Sequence, residues 1–233
     1  MGFHPILTNA RAVFFDAGGT IVHPDWRRLV QLIEAETGQV FTPADMHKAF
    51  YRMLRTIDAE LANGTDLKHM QEPHSGFMRT FRVLGIDESV CSRLRNQLSL
   101  EHQKRHLWCE PDSDAPNVIA QLKHSGLRIA VISNTEDGRL KDSLTLANLA
   151  SHFEVLIDSH LVGFRKPDPA IFHLALERIG VKAGEALYVG DSYGYDVRGA
   201  QQAGLQSILL DRSDNSEETH CPRIRKLSEL IDY

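Results

Sequence analysis

The sequence predicts an α/β fold, a doubly wound parallel sheet covered by helices on both faces, with an all-helical block inserted after the first strand. Three observations lead there. The apolar run Val13-Phe14-Phe15 reaches Asp16 and then breaks into the Gly-rich turn Ala17-Gly18-Gly19-Thr20. A buried parallel strand delivers a carboxylate in this way to the edge where such sheets bind ligands. From residue 112 to 210, strand-length apolar runs alternate with helical patterns, the mark of a sheet wrapped on both sides. Between these regions, residues 23–107 carry only helical periodicity.

Asp25 can cap a first helix whose apolar stripe is Trp26, Leu29, Val30 and Ile33, and which stops at Gly38. Thr42 with Pro43 starts the next, in which Met46, Phe50, Met53, Leu54, Ile57 and Leu61 recur at helical spacing until Asn63-Gly64. A polar stretch, residues 65–75, interrupts the pattern. Phe77, Phe81 and Leu84 before Gly85 give a third helix, and Asp87 with Val90, Leu94 and Leu98 a fourth. Trp26, Phe50, Phe77 and Phe81 lie on apolar stripes and read as core. A βαβ crossover needs only one helix, so four read as an inserted subdomain, with hinges near residues 21–24 and 107–111.

Beyond the insert, residues 112–125 read as a helix stopped by Gly126, and 127–132 as a strand carrying Ser133 at its tip. Helix 137–149, strand 153–157, helix 168–179 closed by Gly180, and strand 186–189 leading to Asp191 follow. Helix 195–203, stopped by Gly204, and strand 205–210 complete the alternation. Residues 213–219 read as a polar loop before a short C-terminal element.

At 233 residues and 42% apolar content, the chain can bury a substantial core. A net charge of −5 without a Lys/Arg-dense stretch argues against nucleic acid or an anionic membrane as partner. Cys91, Cys109 and Cys221 are odd in number and widely spaced, which fits a reducing compartment better than a disulfide framework. Neither a leader pattern nor a long uninterrupted apolar segment stands out. The expectation is a cytoplasmic globular protein.

Four polar tips then stand in order along almost the whole chain: Asp16-Ala17-Gly18-Gly19-Thr20, Ser133, Lys166 before Pro167-Asp168-Pro169, and Gly190-Asp191-Ser192-Tyr193-Gly194-Tyr195-Asp196. In order and spacing they resemble the four motifs of the haloacid dehalogenase-like (HAD) hydrolase superfamily. The resemblance implies an α/β catalytic core at residues 1–22 and 108–233, and a helical cap of the first type at 23–107. It casts Asp16 as nucleophile, Thr20 and Ser133 as hydroxyl donors and Lys166 as the cation facing a transferred phosphoryl group. It places Mg²⁺ on Asp16, the Gly18 carbonyl and Asp191, with help from Asp196. Ser133 and Lys166 would also bind substrate; Asn134 would orient substrate or satisfy backbone groups. Fixed donors and cations are what a charge-laden phosphoryl transition state needs, and Mg²⁺ takes oxygen ligands of this kind. The expected substrate is a small phosphorylated metabolite, hydrolysed through an aspartyl-phosphate.

The chain departs from the family's first motif, Asp-x-Asp-x-Thr, at Gly18. In HAD phosphatases the second Asp is the general acid and base, a role worth roughly 10²–10⁴-fold in rate. Three alternatives follow. His23, which titrates near neutrality, could replace the acid. The chain could be a metal-independent 2-haloacid dehalogenase, although carboxylates gathered around an anionic nucleophile have no purpose without a metal. It could also be a phosphate-binding pseudoenzyme or regulatory protein. A phosphonatase would need a cap lysine, and only Lys48 and Lys68 lie between residues 23 and 103. The family draws specificity from cap residues, here Lys68, His69, His74 and Ser75.

Overall fold

The computed structural model describes residues 2–65, 70, 72–212 and 221–232; Lys68, His69 and the predicted loop 213–219 lie outside the described residues. The strands are β1 (Ala12–Phe15), β2 (Val22–Pro24), β3 (Trp108–Pro111), β4 (Arg128–Ser133), β5 (Val155–Asp158), β6 (Ala186–Gly190), β7 (Gln206–Leu210) and β8 (Arg223–Ile224). All but β2 and β3 form one parallel sheet in the order β5-β4-β1-β6-β7-β8. This is the doubly wound α/β fold expected from the sequence.

Every residue of β1 is buried, and its register sets Phe15 opposite Val131 of β4 and Val189 of β6. Side chains alternate between the faces of a strand, so the central strands supply two cores. Val13, Phe15, Val131 and Val189 pack under α5 (Ala115–His124) and α6 (Leu140–Leu146). Phe14, Ile132 and Tyr188 pack under α8 (Pro169–Ile179) and α9 (Arg198–Gln202). A short α7 (Ser159–Val162) follows β5.

Four helices occupy the insert: α1 (Trp26–Thr37), α2 (Pro43–Ala62), α3 (Ser75–Val83) and α4 (Glu88–Lys104). Asp25 caps α1 by accepting from the Arg28 amide, and Thr42 and Asp45 form a capping box at α2. Leu29, Ile33, Met46, Phe81, Leu94 and Leu98 make this block's own core.

The insert is not helical throughout, as its periodicity suggested. Both chain crossings between sheet and helices are strands, and they pair as an antiparallel β2–β3 ribbon with an irregularity at His23/Pro24. Pairing the crossings satisfies backbone groups that two separate linkers would leave to water. Other limits moved for local reasons. α5 starts at Ala115 because the Asp112 carboxylate is already engaged by Asp114 N, His23 and Arg212. α6 starts at Leu140, where Asp158 Oδ2 accepts from its amide. The predicted helix 195–203 begins as a π-helical turn, Tyr193–Val197, that runs into α9. At two residues, β8 is too short to show periodicity. Cys91 and Cys109 are buried thiols. Among the described residues no helix is long and apolar enough to cross a membrane.

Candidate active site

β1 lies between β4 and β6, where successive crossovers leave in opposite directions, so the C-terminal ends of the three strands open on a crevice. Asp16 follows β1, Ser133 ends β4, and Asp191 follows β6. The turn after Asp16 is tight: the Ile21 and Val22 amides both donate to the Ala17 carbonyl. Gly19 has φ 87°, which favours glycine, and a Cβ there would stand 2.0 Å from Asp191 Oδ2.

Lys166 lies buried at the centre. Its Nζ donates to Asp16 Oδ1 (2.5 Å), Asp196 Oδ1 (2.7 Å) and the Tyr188 hydroxyl (3.0 Å). Asn134 fixes its backbone from both sides, accepting from Lys166 N and donating to Lys166 O, each at 2.9 Å. Both ends of the Asn134 amide are thus engaged in the backbone role. Thr20 Oγ1 donates to Asp16 Oδ2 (3.1 Å), and Asp196 Oδ2 accepts from Ser192 N (3.0 Å).

Charge around this lysine does not balance. Asp16, Asp191 and Asp196 offer oxygens within 4.8 Å of one another, and Asp191 Oδ2 is buried without a hydrogen-bond partner. Burial raises the Asp16 pKa to about 6 against the pull of Lys166. Burial, then the charges of Asp16 and Asp196, push Asp191 well above its ordinary value. Burial works against the Lys166 charge, yet Asp16 and Asp196 hold its pKa above the ordinary value. An orphaned carboxylate oxygen in an excess of negative charge is the donor set that a hard divalent cation takes. Asp16, Asp191 and Asp196 bring the oxygens for one together; those of Asp16 and Asp196 already accept hydrogen bonds, and Asp191 Oδ2 is the one left without a partner.

These groups floor a cavity of about 510 Å³ between the sheet and the helical block. Ser133, Asn134 and Gly18 line it; opposite stand Phe50, Met53 and Ile57 of α2, Phe77 of α3 and Trp108 of β3. Phe50 and Phe77, expected as plain core, are buried yet form cavity wall. A Cβ at Gly18 would lie 3.1–3.4 Å from three carbons of the Trp108 ring. Trp108 in turn packs edge-on to Phe50 (5.7 Å between centroids) and stacks with Phe77 (5.6 Å).

His74, His102 and His106 also line the cavity. Burial pushes His74 and His106 down to about 4, with the neighbouring His102 adding to the shift. His102 Nδ1 accepts from Leu107 N (3.1 Å), so its Nε2 carries the proton given to Asp137 (2.7 Å). That proton occupies the nitrogen a metal would need, although His102, His106 and Asp137 are close enough to form a ligand group.

Among the described residues, two carboxylate seams join block and sheet around the cavity, besides the His102–Asp137 bond and the Tyr51 hydroxyl, which donates to the Gly19 carbonyl (2.9 Å). Asp58 of α2 accepts from Ser192 Oγ (2.5 Å), Gly194 N (2.8 Å) and Tyr193 N (3.0 Å). Glu136, after β4, accepts from His74 N (2.6 Å) and Ser75 Oγ (3.4 Å).

His23, the expected substitute acid, is not among the cavity-lining residues. It sits in the ribbon, its Nε2 sharing a hydrogen bond with Asp112 Oδ2 (3.1 Å). Lys48 does not line the cavity either. Sequence reasoning missed Tyr188, Asp58 and Trp108. Tyr188 carried a signal, since a phenol inside a fully buried strand needs a partner for its hydroxyl. Asp58 and Trp108 act through contacts distant in sequence and carried none.

The model of the haloacid dehalogenase-like hydrolase family matches residues 10–204. "Haloacid dehalogenase-like hydrolase domain-containing protein 3" of Mus musculus is 36% identical over 138 residues, 59% of this chain and 54% of its own length, so the match spans about half of that relative. The phosphoserine phosphatase of Thermus thermophilus is 35% identical over 55% of this chain and 51% of its own. The glyceraldehyde 3-phosphate phosphatase of Methanothermobacter thermautotrophicus is 28% identical over 91% and 89%. Among solved structures, the HAD-hydrolase YfnB of Bacillus subtilis bound to magnesium superposes with a TM-score of 0.70 at 21% identity, covering 95% of this chain and 96% of that one. That last likeness is one of fold.

Proposed function

The chain belongs to the haloacid dehalogenase-like hydrolase family, and from that premise we propose that it is a Mg²⁺-dependent phosphatase acting on a small phosphate monoester. The observation that carries this reading is the orphaned Asp191 oxygen beside Asp16 and Asp196, two carboxylates that already share one lysine. A phosphatase needs added positive charge there; a metal-free reaction does not. Bound between Asp16, Asp191 and the Gly18 carbonyl, Mg²⁺ would supply charge neutralisation for the phosphoryl oxygens. Asp16 attacks phosphorus to form an aspartyl-phosphate as the bond to the ester oxygen breaks and the hydroxyl compound departs, and water then attacks phosphorus, releasing phosphate and restoring the carboxylate. Lys166 orients Asp16 and faces the transferred group, Asp196 and Tyr188 hold Lys166, Ser133 supplies a hydroxyl donor from the cavity floor, and the Thr20 hydroxyl holds Asp16. The helical block acts as a cap of the first type, closing over the site through its two seams.

The relatives named as phosphatases support the same reaction class. The test is phosphate release from a panel of monoesters with Mg²⁺ or a chelator, beside Asp16→Asn. Release that requires both the metal and Asp16 is the expected result; release unaffected by either overturns the reading. Gly18 and the apolar wall beside it favour a second reading, carbon attack by Asp16 on a 2-haloacid, for which the same assay would register halide without metal.

A further inference from the structure

The wall beside Asp16 says what kind of ester this site is built for. An alkoxide leaving group must receive a proton as its bond to phosphorus breaks, so a donor has to stand where that oxygen departs. Next to the nucleophile, on the cavity side, stand Gly18 and the Trp108 ring laid against it at 3.1–3.4 Å from a Cβ position. Neither offers an acid. The protonatable groups are spent or weakly acidic: Lys166 is tied to Asp16 and Asp196, the His102 proton is held by Asp137, and burial pushes the Tyr195 hydroxyl up to about 12. His74 and His106, at about 4, carry no extra proton near neutrality. Glu136 is engaged by the His74 amide and the Ser75 hydroxyl in the seam.

What the wall offers instead is flat apolar surface. Trp108, Phe50 and Phe77 form a continuous aromatic patch that starts at Gly18, and rings bind such surfaces by offset or edge contacts. We propose that the substrate is a phosphate monoester of a phenol, its ring against Trp108 and its oxygen leaving unprotonated.

This deepens the phosphatase reading and rests on it. Asp16 forms the bond to phosphorus while the bond from phosphorus to the aryl oxygen breaks, and the electron pair leaves on the phenolate, which takes its proton from solvent. Water then attacks phosphorus, the bond to Asp16 breaks, and phosphate departs with the carboxylate restored. A phenol, with a pKa of about 10, loses its phosphoryl group without acid help far more readily than an aliphatic alcohol, a much weaker acid close to water itself.

The test compares phenyl phosphate with benzyl phosphate, which carries the same ring on an aliphatic oxygen, using the wild-type protein with Mg²⁺. The expected kcat/KM ratio is about 10²-fold or more in favour of phenyl phosphate, the size of the acid contribution that is missing. A ratio of about ten or less overturns the proposal while leaving the phosphatase reading in place. Silence on both, and on aliphatic esters, removes both. Ring recognition is read separately by calorimetric binding of phenylphosphonate against methylphosphonate, neither of which is hydrolysed. Tighter binding of the phenyl compound, with the gap narrowed in Trp108→Leu, is expected; equal binding by wild type overturns it. Should Trp108→Leu fail to fold, Phe77→Leu tests the same wall.

Discussion

At the residue scale, Asp191 keeps one carboxylate oxygen buried with no hydrogen-bond partner. An unpaired buried charge destabilises, so Asp191→Asn should raise the stability of metal-free protein by about 1–3 kcal/mol. That corresponds to roughly 2–4 °C per kcal/mol in a chain of this size, read by thermal melts in chelator. The same variant should lose the rise in melting temperature that Mg²⁺ gives the wild type. Asp16, together with the likewise raised Asp191, sets the pH dependence of that rise. Its folded pKa is raised, to about 6 from 3.8, so its contribution to metal-free stability is full below about 3.8 and lost as pH climbs through 6. Mg²⁺ needs the ionised form. The gap between melting temperatures in Mg²⁺ and in chelator should therefore widen from pH 5 to pH 7; a constant gap would count against Asp16 as a ligand. Gly18 shows why a missing carboxylate cannot simply be put back. Gly18→Asp pushes a Cβ against Trp108, overpacking that costs about 1–3 kcal/mol, and pairing it with Trp108→Ala should recover the loss in a double-mutant cycle.

At the element scale, the π-helical turn Tyr193–Val197 takes its partners from another part of the chain. Asp58 of α2 accepts two of its amides and the Ser192 hydroxyl, and Gly194 lets α2 approach so closely that a Cβ would meet Leu61 at 2.7 Å. Asp58→Ala should cost about 1.5–3 kcal/mol, as loss of bonds to a charged acceptor does, and amide exchange at Tyr193 and Gly194 should accelerate. Unchanged exchange would show that the turn stands without α2. Such elements mark the limit of what was legible beforehand. β1, β4 and β6 were plain as apolar runs ending in polar tips, and α1 and α2 from their caps. The π-helical turn, the β2–β3 ribbon and β8 were not, because each is held by partners far away in sequence and has no periodicity of its own.

At the scale of the whole molecule, parallel sheet and insert followed from alternation alone, and Asp16, Ser133, Lys166 and Asp191 were legible as strand-end or loop groups that a wound sheet collects at one edge. The cavity was not. Its walls are residues whose helical spacing reads as ordinary core, and only the docking of helices on sheet leaves Phe50 and Phe77 beside an opening. Two carboxylates, Asp58 and Glu136, contribute to that docking from opposite components of the fold, alongside the His102–Asp137 and Tyr51–Gly19 bonds. The double variant Asp58→Ala/Glu136→Ala should expose the crossings Val22–Pro24 and Trp108–Pro111 to limited proteolysis more than either single change does. Cleavage no faster than in the single variants would mean that the apolar contacts and the remaining bonds from His102 and Tyr51 suffice.

The β2–β3 ribbon has a consequence of another kind. Because both crossings pair side by side, the insert leaves and rejoins the sheet at points about one strand spacing apart, on the order of 5 Å. Its four helices therefore form a cassette: a different set of helices, or a short turn joining residue 24 to 108, could take their place without stretching the sheet. Recombination can thus exchange the helical block while the sheet beneath it stays unchanged.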